Sequence, residues 1–257
     1  MRTVASSGGV RFGVFPLKRV AKTAFFAYNG KKKPTFFCEV TGLTDTTKRK
    51  RGAVLILSLL LIAVFTYLGG LCFSIGRTWL KILLLVLVNY ANAAVALIAM
   101  KITGVKPEFD LKNVRQYGIG VAIAIILSLA IAFVPALCGF SLVGQHSDFS
   151  WFRIVYGFLF YFLVVGPVEE LIFRVYLQDT LTSFFIKRKY LGVILAALLF
   201  GLSHLINGSL VQVPFTFGIG LVFGTCRYKI RDCKYPGLAV GHGLYDFLNE
   251  IVRIFIV

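Results

Sequence analysis

The chain has 257 residues, 58% of them hydrophobic, and its 28 Lys and Arg against 11 Asp and Glu give a formal charge of +17. Soluble domains sit nearer about 45–50% apolar, so a mean hydropathy of +0.81 excludes an ordinary soluble domain and points to lipid as the solvent. The charge alone would fit a nucleic-acid binder, but the placement of the basic residues argues against that class.

Residues 1–51 carry Arg and Lys throughout, with KKK at 31–33 and KRKR at 48–51. No apolar run closely follows Met1, so the segment does not read as a secretory signal. We expect a basic cytosolic arm resting on anionic lipid headgroups, with at most a short surface helix. The five cysteines, Cys38, Cys72, Cys138, Cys226 and Cys233, are odd in number and form no CxxC. They indicate neither a disulfide framework nor a zinc finger.

Seven apolar segments follow, at 52–76, 80–100, 117–140, 152–185, 190–206, 210–226 and 236–257. A membrane crossing needs about 20 such residues. The pattern predicts an all-α, multi-pass transmembrane bundle of seven spans, or eight. Its parts would be the arm (1–51), three spans (52–149) and a charged helical core (150–257).

The loops alternate between rich and poor in basic residues. The arm is rich, and the next connection holds Arg77 and Lys81. Lys101, Lys106, Lys112 and Arg115 follow, and 141–151 holds none. Lys187, Arg188 and Lys189 come next, then none at 207–209, then Arg227, Lys229, Arg231 and Lys234. This is the positive-inside pattern of a cell-membrane protein with a cytosolic N-terminus and an external C-terminus. It makes the bilayer the partner of the basic residues and leaves no need for nucleic acid.

An ionisable group at the bilayer centre costs at least ~2.5–3.5 kcal/mol. The first three spans avoid it almost entirely, whereas later ones place such groups there repeatedly. In the fourth, Glu170 and Arg174 are four apart with the acid first, the favourable order for a helical ion pair. Glu169 lies about 100° round the helix and cannot share Arg174 equally. One acid is therefore neutralised and the other left free, a candidate general base. In the fifth, Phe200 stands one turn before His204. In the last, His242, Asp246 and Asn249 fall on one stripe, with Gly241 and Gly243 allowing close approach of another helix or a substrate. His146 falls in an external loop and is given no role.

The ordered set EELIFR at 169–174, FGLSH at 200–204 and HGLYD at 242–246 resembles the CPBP family of intramembrane peptidases, the CAAX proteases and bacteriocin-processing enzymes also called Abi. The resemblance covers about 150–250 and implies hydrolysis of a membrane-associated peptide or lipidated protein. It implies that Glu169 activates a water with His204 assisting, that His242 and Asp246 line the oxyanion side or orient the site, and that Glu170, Arg174, Phe200 and Asn249 support it. Better-known members carry Asn at the place of Asp246, and an ionised Asp cannot donate to an oxyanion. Asp246 is then protonated, or it orients His242, or Asn249 supplies the donor.

HExxH is absent, which excludes a zincin. Glu169, His204 and His242 could still hold a divalent metal such as zinc with one open position, and the reading leans to no tightly bound metal. Two rivals remain: a non-catalytic immunity or scaffold protein, and a transporter. In straight helices His242 would lie near the cytosolic side and His204 near the external side, so the two would not meet.

Overall fold

The computed structural model describes residues 45–106 and 109–257, and among these it is all-helical, with no strand. Residues 1–44 of the basic arm lie outside the described residues. Seven long helices follow one another. They are α1 (Asp45–Cys72), α2 (Thr78–Thr103), α3 (Val114–Leu137), α4 (Trp151–Phe184), α5 (Lys189–Asn207), α6 (Gln212–Lys229) and α7 (Tyr235–Phe255). They match the seven apolar segments to within a few residues, except at the start of α1. There the helix takes in KRKR at 48–51, because Lys and Arg are good helix formers and need not stop at the edge of the apolar run.

Helices α1 to α5 are long and apolar enough to cross a membrane, which makes this a multi-pass membrane protein. α6 is shorter, with Arg227 and Lys229 in its last turn, and α7 carries His242, Asp246, Glu250 and Arg253. Both nonetheless pack into the bundle, α6 against α5 and α7 against α3 and α4. The outer face of α1 is apolar and exposed at Ile56, Leu57, Leu60 and Val64. Such a face suits lipid.

Pro167 sits in the middle of α4, where it would normally kink a helix. The helix instead continues for 34 residues. Tyr161–Val165, just before the proline, is wound as a π-helix, as is Leu171–Gln178 just after it. Wider turns relieve the clash of the ring with the preceding turn. Pro167 also deprives the Leu163 carbonyl of its α-helical donor. The Tyr90 hydroxyl of α2 donates to that carbonyl at 3.0 Å, so this acceptor is not left bare in the membrane.

α7 approaches α3 and α4 through glycine. A Cβ at Gly241 would stand 2.5 Å from the Gly120 carbonyl oxygen, and one at Gly243 would stand 2.7 Å from the Tyr161 carbonyl oxygen. Both distances are shorter than real Cβ contacts, and in each case the obstacle is backbone. Gly243→Val must therefore push α7 off α4. The expected cost is about 1–3 kcal/mol or more, read as a lower unfolding temperature in detergent. A wild-type melting curve would contradict this packing.

The basic helix ends gather at one end of the bundle. Arg51 at the start of α1 donates to Ser183 at the end of α4. Arg227 pairs with Asp179 at 2.6 Å, and Asn113 and Arg115 before and within α3 both reach Asp232 between α6 and α7. At the opposite end Arg253 binds Glu250 at 3.0 Å and Ser147 at 2.9 Å, tying the loop before α4 to the end of α7.

Candidate active site

Glu169 and Glu170 follow Pro167 on α4 and point in different directions. Glu170 has no exposure at all. Its Oε1 accepts a hydrogen bond from His242 Nδ1–H at 2.8 Å, and its Oε2 lies 3.4 Å from Arg174 Nε. The Arg174 guanidinium is itself buried and lies over the Phe200 ring, 4.6 Å from the ring centroid, with Phe223 beyond at 5.9 Å. A cation over an aromatic face replaces part of the solvation that burial removes.

Glu169 is placed differently. Like Glu170 Oε2, its Oε2 is buried and takes part in no hydrogen bond, but its side chain is 24% exposed. The residue lines a cavity of about 240 Å³ together with Ser203 and His204 of α5. His204 Nδ1 lies 2.9 Å from the Phe200 carbonyl oxygen. A carbonyl can only accept, so Nδ1 carries the proton and the neutral ring keeps its lone pair on Nε2.

His242 stands beside this pair on α7, its side chain only 4% exposed. Its Nε2 lies 3.5 Å from Glu169 Oε2 and 3.6 Å from Asp246 Oδ2. One imidazole thus touches three carboxylates from two helices. Neither His242 nor Asp246 is among the residues lining the cavity. Asn249 lies a turn further along α7, its Oδ1 buried without a hydrogen-bond partner. His146 is exposed in the loop before α4.

The two histidines make no direct contact among those the structure gives, but one residue joins them. Both rings contact Phe200, His204 at 4.8 Å and His242 at 5.8 Å between centroids. Helical side chains lean toward the N-terminus of their helix, and the hydrogen bond to Phe200 draws His204 back along α5 by a turn. The ring of Phe200, which packs edge-on against Phe173 of α4, fills the remaining gap in depth. Straight-helix counting ignored both the lean of the imidazole and the reach of the aromatic.

Other contributors went unnoticed in the sequence. Phe223 of α6 lies 5.4 Å from the His242 ring. Thr66 of α1 and Asn89 and Asn92 of α2 line the cavity. The amides were legible as polar breaks in an otherwise apolar run, but a search confined to charges passes over them.

Among the described residues no group of three or more His, Cys, Asp or Glu side chains that could hold a metal ion is found.

Residues 150–248 match the family model described as type II CAAX prenyl endopeptidase, Rce1-like. The matched stretch takes in α4, α5, α6 and most of α7, and with them all three motifs. It is consistent with the CPBP resemblance. Comparison with curated proteins and with solved structures gives no match.

Proposed function

We propose that this protein is an intramembrane endopeptidase that hydrolyses a membrane-associated peptide with a water activated by Glu169. One observation carries the reading. Glu170 has no exposure and is enclosed between Arg174 and His242, whereas Glu169, its side chain 24% exposed, lies on the wall of a cavity it shares with His204. The likeness of residues 150–248 to a CAAX prenyl endopeptidase supports the same class and makes a prenylated carboxyl-terminal peptide the first substrate to try.

In this reading a water sits between the Glu169 carboxylate and His204 Nε2. Its oxygen bonds to the substrate carbonyl carbon as one proton passes to Glu169. His204, with Nδ1–H bound to the Phe200 carbonyl, accepts the second hydrogen of the water and so aims its lone pair. Collapse of the tetrahedral intermediate breaks the C–N bond while Glu169 returns the proton to the leaving nitrogen. The products are a carboxylic acid and an amine, and the acid then gives its proton to the amine, leaving a carboxylate and an ammonium. His242 and Asp246 act from behind, fixing the Glu169 carboxylate through the contacts at His242 Nε2. An ionised Asp246 has no proton to donate, so a positioning role suits it better than oxyanion binding.

Residues 150–257 form the catalytic core in this scheme, and 52–149 supply three further spans. The end of the bundle that holds Arg51, Arg115 and Arg227 faces the cytosol.

Purified protein in liposomes, given a prenylated peptide in H₂¹⁸O, should place one label in the newly formed carboxylate. His204→Ala should lower kcat on the order of 10²-fold with an unchanged melting curve. Proton or solute flux without hydrolysis would replace this reading with a transporter.

A further inference from the structure

The cavity beside Glu169 is only partly walled by the helices that carry the motifs. α1 contributes Ile62 and Thr66, and α2 contributes Leu85, Asn89 and Asn92. Both helices lie outside the matched stretch at 150–248. Asn92 is 6% exposed, within an apolar helix. Its Nδ2 makes a long contact of 3.4 Å to Thr66 Oγ1, and its Oδ1 is buried with no hydrogen-bond partner. Asn89, one turn earlier, donates Nδ2 to the Leu85 carbonyl of its own helix at 2.8 Å. Asn92 has made no such local arrangement.

A buried amide oxygen in a membrane interior is costly unless something donates to it. Asn92 lines the cavity, so the cavity is where a donor can come from. The neighbouring wall is apolar, with Ile62, Leu85 and Val88. The occupant must therefore offer an N–H or O–H donor flanked by aliphatic groups. A peptide main chain between aliphatic side chains has this character, whereas a hydrocarbon chain has no donor. The volume of about 240 Å³ falls below the roughly 300–1,000 Å³ usual for small-molecule pockets, so it admits only a short stretch of chain.

We infer that Asn92 accepts a main-chain N–H of the bound peptide, so that α2 sets the register of the substrate against Glu169. This rests on the reading of the cavity as the substrate site of a peptidase. It makes Asn92 a specificity-determining residue supplied from outside the catalytic core.

The test uses the full chain in liposomes and a prenylated peptide in which each main-chain N–H beyond the prenylated cysteine is replaced in turn by an ester oxygen. For the wild type, one ester position should raise KM about tenfold, the scale of one lost hydrogen bond. Asn92→Leu should raise KM for the all-amide peptide by a similar factor, leave kcat nearly unchanged and be indifferent to that same ester. Its melting temperature should not fall, since it removes an unpaired buried oxygen and loses only the long contact to Thr66. A wild-type KM in Asn92→Leu, or a variant as sensitive to every ester as the wild type, overturns the inference and leaves the peptidase reading standing. A wild type indifferent to every ester also overturns it, without recourse to any variant. If the wild type hydrolyses none of these peptides, the peptidase reading falls. Photocrosslinking of the amide and ester peptides to wild type and Asn92→Leu then decides separately whether Asn92 holds a main chain.

Discussion

Glu169→Gln is expected to lower peptide cleavage by about 10²–10⁴-fold, the usual contribution of a positioned general base, while leaving the fold intact. The substitution keeps the size and shape of the side chain and removes only its charge and basicity. Because Glu169 Oε2 takes part in no hydrogen bond, the swap breaks none there. The nearest basic group, His242 Nε2, stands at 3.5 Å and keeps its Nδ1 bond to Glu170. The melting curve in detergent should therefore match the wild type, and the yield from membranes should not fall. A cleavage rate at the wild-type level would remove Glu169 from the chemistry. Loss of folding together with rate would move it to a structural role.

Much of this arrangement was legible in the sequence because a bilayer leaves few options. Uncharged runs of the right length become helices, since only helices or closed barrels satisfy the backbone in lipid. Charged residues inside such runs must face one another. That logic singles out Glu169, Glu170, Arg174, His204 and His242, and it separates the acids by the angle between adjacent helical positions. It does not foresee the winding of α4. The π-helical turns on either side of Gly166–Glu170 come with a contact between residues 73 apart, the Tyr90 hydroxyl on the carbonyl freed by Pro167. Nor does it foresee that both histidines pack against Phe200. Helix counting gives the depth of a backbone position, whereas Phe200 and the lean of His204 act at the level of side chains. Asn92 escaped for a third reason. A neutral amide costs far less to bury than a charge, so it raises no alarm until its unpaired oxygen is seen.

The other large effect is expected at the acid that the mechanism does not use as a base. Glu170 and Arg174 are 0% and 1% exposed in their side chains. Removing one member of a buried pair strands the other, at a cost of about 3–5 kcal/mol. Arg174→Met should therefore destabilise the protein severely, with less folded protein recovered from membranes and a much lower melting temperature. Glu170→Gln should act in the same direction, since it removes the carboxylate paired with the buried guanidinium. Replacing both, as Glu170→Leu with Arg174→Met, removes two charges that must otherwise be desolvated together. This double variant should be more stable than either single one, by an amount that measures the coupling. It should still be slow in cleavage, because an aliphatic side chain in place of Glu170 offers no acceptor to His242 Nδ1–H, and the imidazole that touches Glu169 and Asp246 would lose its anchor. Recovery of stability without recovery of rate separates the two duties of Glu170: neutralising Arg174, and holding His242. Recovery of both would mean that His242 is fixed by packing against Phe200 and Phe223 alone.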